Sequence, residues 1–73
     1  MIWYHGSDAV LTKLRMGSWV TDSKPIAKTF GKFLYTVDIT DKSIDFDMIY
    51  SVVENTKENR GTITKEALVS NHD

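Results

Sequence analysis

A chain of 73 residues with no cysteine must hold itself together with one small core. At this size a domain buries only about 60% of the surface its unfolded chain exposes, and its stability is marginal. No disulfide can compensate. A structural zinc cluster is not expected either, because the two histidines, His5 and His72, stand at opposite ends of the sequence with no thiolate to join them. These limits predict a single domain over residues 1–73, too short for a deep, self-contained active site. They also favour association, since small scaffolds without staples often gain stability from oligomerisation.

Charge narrows the function classes. Nine basic and ten acidic residues nearly cancel, which argues against a nucleic-acid surface carried by a basic face. Met1-Ile2-Trp3-Tyr4-His5 has neither a basic region nor a long apolar stretch, so no secretory leader is expected. No run approaches the roughly 20 apolar residues of a membrane span. The expected setting is a soluble protein of the cytoplasm.

Along the chain, Ile2-Trp3-Tyr4-His5 has the aromatic and β-branched character of a strand, stopped by Gly6. Ser7 or Asp8 can cap a short helical turn bearing Val10, Leu11 and Leu14, closed by Gly17. Ser18–Thr21 reads as a second short strand. Asp22 and Ser23 offer a helix cap, Pro25 fits the first turn, and Ile26, Ala27 and Phe30 follow at helical spacing before Gly31. Residues 33 to 39 form the clearest strand, expected to be central and paired with residues 2 to 5. Asp47 can cap a helix through Ile49, Val52 and Val53, broken at Asn59-Arg60-Gly61. Thr62-Ile63-Thr64 reads as a last strand and Lys65–Leu68 as a last turn, with residues 70–73 frayed. The fold class predicted is therefore α+β: a small mixed or antiparallel sheet with two or three short helices.

Two runs carry possible chemistry. In Tyr4-His5-Gly6-Ser7 a histidine is followed by glycine and a hydroxyl residue, an arrangement that brings backbone close to a ligand. The alternative is a histidine packed at a strand end and a glycine that turns the chain. In Gly17–Asp22, Trp19 offers a flat ring for stacking on an aromatic ligand, or a core side chain. Asp45 and Asp47 lack the glycine and terminal glutamate of a calcium loop, so capping and solubility explain them better than metal. Lys24, Lys28 and Lys32 read as the polar face of an amphipathic helix.

Taken in order, YHGS, GSWVTD, IAKTFG and FLYTVDI over residues 2–39 resemble the ADP-ribosyltransferase fold. Members commonly open with a strand ending in histidine-glycine-threonine or histidine-glycine-serine. A glycine–aromatic–hydroxyl block follows, then a helix with alanine and an aromatic, then a strand. GTITKEAL at 61–68 resembles a closing segment of such proteins. The resemblance implies a truncated domain of this kind with NAD as cofactor. It implies that His5, Gly6 and Ser7 hold the nicotinamide ribose, that Trp19 stacks on nicotinamide and that Thr21 supplies the hydroxyl. Glu54 or Glu58 would be the catalytic carboxylate. Two departures stand out: Trp19 occupies a position usually held by tyrosine, and most of the middle between residue 39 and the closing segment is absent. Both glutamates also fit a solvated helix face.

Two functions follow from these residues. One is a small non-catalytic binding protein, of the inhibitor or adaptor kind that phages and mobile elements encode, acting on a protein partner or on itself as a homodimer. The other is a minimal NAD-dependent ADP-ribosyltransferase, or a domain that binds NAD or ADP-ribose without turnover.

Overall fold

The computed structural model describes residues 2–52 and 55–71. The order of elements is β1 (Ile2–Ser7), β2 (Lys13–Leu14), β3 (Trp19–Thr21), α1 (Lys24–Lys28), β4 (Phe33–Asp38), a 3-10 turn (Asp41–Ser43), β5 (Ile44–Ser51), β6 (Thr56–Ile63) and β7 (Ala67–Asn71). The seven strands form one sheet in the order β2-β7-β4-β1-β3-β6-β5, with every neighbouring pair antiparallel. The sheet curls into a half-barrel.

This architecture corrects the expected α+β fold with two or three helices. The chain is 55% strand and 12% helical, with one α-helix and one 3-10 turn among the described residues. The helix expected from Asp47 through Val52 is instead strand β5 as far as Ser51, and Val53 lies outside the described residues. Asn59-Arg60-Gly61 does not break an element but lies inside β6. The helical turn expected after Ser7 is irregular chain leading into β2. The turn expected at residues 65–68 gives way to β7 from Ala67, and Ser70 and Asn71 belong to that strand, not to a frayed end. The physical reason is most visible in β5. Ile44, Phe46, Met48 and Tyr50 alternate with Asp45, Asp47 and Ile49, a period of two. All eight residues pair with β6, from Ile44↔Ile63 to Ser51↔Thr56, which satisfies backbone groups that a short isolated helix would leave open at its ends.

Other expectations hold. Residues 33–38 pair with residues 2–7 from Ile2↔Asp38 to Ser7↔Phe33, and β4 lies inside the sheet between β7 and β1. The helix begins where Ser23 caps it, its Oγ accepting from the Ile26 amide at 3.4 Å, with Pro25 in the first turn.

The registers Trp3↔Val37, Val37↔Val69, Val20↔Gly61 and Ile44↔Ile63 bring the apolar residues to one face. There Trp3, Leu14, Val20, Val37, Ile39, Ile44 and Ile63 form the core. The fully buried Tyr35 ties the loop before β2 to the sheet: its Oη donates to the Ala9 carbonyl at 2.7 Å and accepts from the Leu11 amide at 2.9 Å. Helix α1 packs close on β1 because Gly6 has no Cβ; one built there would overlap the Ala27 carbonyl oxygen. Among the described residues no helix is long and apolar enough to cross a membrane.

Candidate functional site

The His5-Gly6-Ser7 run is taken up by local structure. The His5 Nδ1 lies 2.7 Å from the Trp19 carbonyl oxygen. Because a carbonyl only accepts, Nδ1 carries the proton, and the neutral ring presents a bare lone pair at Nε2. Burial holds the His5 pKa below its usual value, against the opposing pull of the Trp19 carbonyl. Gly6 is a strand residue beneath the helix. Ser7 Oγ accepts from the Ala9 amide at 3.0 Å, a local turn bond. Thr21 is fully buried, and its Oγ1 accepts from the Ser23 amide at 3.1 Å.

Trp19 is placed differently. Its ring meets that of His5 at 4.5 Å between centroids and that of Phe30 at 4.8 Å, tilted 41° and 56°. It also lines a cleft of about 400 Å³ with Phe30, Phe46, Asp45, Asp47, Arg60 and Thr62. β3 supplies Trp19, and the register Trp19↔Thr62, Thr21↔Arg60, Asp45↔Thr62 and Asp47↔Arg60 brings the polar walls beside it. Phe30 comes from just beyond the helix. Among the described residues Arg60 makes no salt bridge, but it lies opposite Asp47 in the ladder, and its guanidinium is near enough to Glu58 to act on that carboxyl. His5 borders a different, smaller cleft with Leu11, Lys13, Leu14, Arg15 and Ser18. His5 and Trp19 therefore touch, but open onto separate spaces.

Of the two candidate glutamates, Glu54 lies outside the described residues. Glu58 is on strand β6 and only 3% exposed, not on a solvated helix face. It stands two residues from Arg60, on the same side of the strand by alternation. Burial, and then the nearby charge of Asp22, push its carboxyl up; the hydroxyls of Ser23 and Thr21 and the Arg60 guanidinium pull the other way and are outweighed. It does not line the Trp19 cleft.

The arrangement offers a planar apolar wall, a guanidinium and two exposed carboxylates around one open cleft. That combination suits stacking and ionic contact. Residues 45–47, 60 and 62 were not singled out for this role by their sequence; the signal that could have found them is the alternation Asp45-Phe46-Asp47, which as a strand sends both carboxylates to one face. Among the described residues no three His, Cys, Asp or Glu side chains come together as a metal site. Comparison with family profiles, with curated protein sequences and with solved structures finds no match to this chain.

Proposed function

We propose that this chain is a small non-catalytic binding protein whose Trp19 cleft holds a planar ligand bearing an anionic group. The observation that carries the reading is the half-buried Trp19 ring forming a wall of the same cleft as the Arg60 side chain. Stacking on Trp19 suits a flat ring, and the guanidinium can engage a phosphate or carboxylate, although Asp45 and Asp47 line the same cleft and oppose an anion there. The resemblance to ADP-ribosyltransferases narrows that class to NAD, ADP-ribose and related nucleotides.

Binding without efficient transfer is supported by the placement of the groups that transfer needs. Charge that develops only in the transition state has to meet its stabilising group in the cleft. Glu58 is buried outside the cleft, and His5, neutral and bonded to a backbone carbonyl, borders another space. Losing one such electrostatic group typically costs about 10²–10³-fold in rate.

The test is calorimetric titration with NAD, ADP-ribose and nicotinamide against the native chain, Trp19→Ala and Arg60→Gln. Binding of all three should vanish in Trp19→Ala. Arg60→Gln should weaken the two phosphate-bearing ligands about tenfold or more, and nicotinamide little. Absence of heat with all three ligands would overturn the reading. Incubation with labelled NAD tests the second half: robust labelling abolished by Glu58→Gln would make that glutamate catalytic.

A second reading, an inhibitor or adaptor acting on another protein, is favoured by the outer strand β5, where Phe46, Met48 and Tyr50 are 45%, 65% and 57% exposed. Exposed apolar surface of this kind marks interaction sites.

A further inference from the structure

β5 ends the sheet. Its inner edge is fully paired with β6, and among the described residues its outer edge has no neighbouring strand. The opposite edge of the sheet, β2, is two residues long; β5 is eight. Protein edges of this length are usually blunted by charged side chains, lysine above all, by proline or by a bulge; the charges on this strand are Asp45 and Asp47. Ile44–Ser51 contains no lysine or proline and pairs with β6 without a bulge. What it presents is an apolar row, Phe46-Met48-Tyr50, on one face, and Asp45 and Asp47 on the other.

We propose that the outer edge of β5 pairs with β5 of a second copy of this chain, antiparallel about a two-fold axis through Met48. The residue pattern selects this occupant and this register. Residues directly opposite one another in an antiparallel pair point to the same side of the sheet. A two-fold axis between residues 47 and 48 would use the whole strand, but it would set Phe46 opposite Ile49 and Asp45 opposite Tyr50. Each apolar row would then continue as the acidic face of the other copy. An axis through Asp47 opposes two aspartates directly, and an axis through Phe46 opposes Asp45 to Asp47 twice; like charges directly opposite destabilise a sheet. With the axis at Met48 the ladder spans residues 45–51. Phe46 faces Tyr50 of the second copy, Asp47 faces Ile49 and Asp45 faces Ser51, so no acid lies directly opposite an acid. The two apolar rows join into one, with two aromatic pairs flanking a central pair of methionines. An axis at Ile49 also separates the acids, but it shortens the ladder to residues 47–51. This inference rests on the strand edge and needs no ligand in the Trp19 cleft, although Asp45, Phe46 and Asp47 belong to both.

A ladder of seven residues is a small interface, at the weak end of specific association, so a reversible dimer is expected. The absence of native cysteine makes its register directly testable. Sedimentation velocity over roughly 1 μM to 1 mM should show the native chain shifting from monomer to dimer. Met48→Lys, which sets two like charges opposite each other at an exposed position, should remain monomeric with unchanged circular dichroism. Under mild oxidation Met48→Cys should form a disulfide dimer at least tenfold faster than Leu68→Cys, an exposed control on β7. Directly opposed strand residues have the Cα separation a disulfide needs, about 4.5–5.5 Å. A native chain that stays monomeric throughout, a Met48→Lys variant that still dimerises, or a Met48→Cys variant that cross-links no faster than the control would each overturn the proposal.

Discussion

The two tryptophans mark two unlike halves of the molecule. Trp3 is 1% exposed, packed in the core with Val20, Val37 and Ile63, whose strands β3, β4 and β6 each pair on both edges. Trp19, sixteen residues later and one strand away, is half-buried at the mouth of a cleft whose far side is the outer hairpin β5–β6. Around Trp3 the apolar side chains are covered by other apolar side chains. Along β5 Ile44 joins the core and Phe46 meets the Trp3 ring at 5.4 Å, but Phe46, Met48 and Tyr50 remain largely exposed. A chain this short cannot seal both halves, because its surface is large relative to its core. The sealed half therefore supplies the stability, and the open half leaves apolar surface exposed, which the proposed function assigns to binding.

Core substitutions should break this division most sharply. Trp3→Ala removes the largest fully buried side chain and should cost about 3–5 kcal/mol. In a domain this small that is enough to unfold it, and loss of the cooperative thermal transition would show it. Gly6→Ala forces a Cβ against the Ala27 carbonyl, so the helix must move off the sheet. A cost of about 1–3 kcal/mol is expected, with faster amide exchange at Ala27 and Thr29. Tyr35→Phe deletes the hydroxyl that bonds both Ala9 and Leu11. It should cost about 1–2 kcal/mol and loosen residues 8–12 without altering the cleft.

Glu58 sits where the two halves meet, and its substitution should act in the opposite direction. Its folded-state pKa is raised, chiefly by burial, so the fold prefers the protonated carboxyl. The stability this gives is complete below the unfolded value of about 4.3 and is lost as pH rises through the folded value. At neutral pH the buried carboxylate is a cost. Glu58→Gln should accordingly stabilise the chain by about 1 kcal/mol at pH 7, and the gain should shrink to nothing as pH falls below about 4. Thermal melts of both proteins across that range check the sign. The smallest effects belong to the open half: Tyr50→Ser, at an exposed position, should change the monomer's stability by no more than about 0.5 kcal/mol.

The sealed half was also the legible half of the sequence. Residues 2–5 and 33–39 are dense in aromatic and β-branched residues, which favour strands, and the two runs pair. Ser23 and Pro25 fix the helix start because capping and proline geometry are local. The open half was misread for a physical reason. Asp47, Ile49 and Val52 fit a capped helix as well as they fit a strand, and the competing signal, Phe46-Met48-Tyr50, looks unlike a surface strand because its apolar side chains stay exposed. Only the pairing partner β6, itself interrupted in sequence by Gly61, decides between the two. For the site, the sequence pointed to Trp19, which lines the cleft, but not to Arg60. A lone arginine inside a polar run carries no local mark of facing an aromatic wall.

The division between the two tryptophans also gives the most direct test of the binding account. A Trp3→Phe variant, shown by its thermal transition to be folded, leaves Trp19 as the sole indole, so fluorescence then reports the cleft alone. Titration with ADP-ribose should change Trp19 emission saturably, and adding Arg60→Gln to that background should weaken the response about tenfold or more. A folded protein whose Trp19 emission stays flat up to millimolar ADP-ribose and NAD would contradict the claim that this cleft binds such ligands.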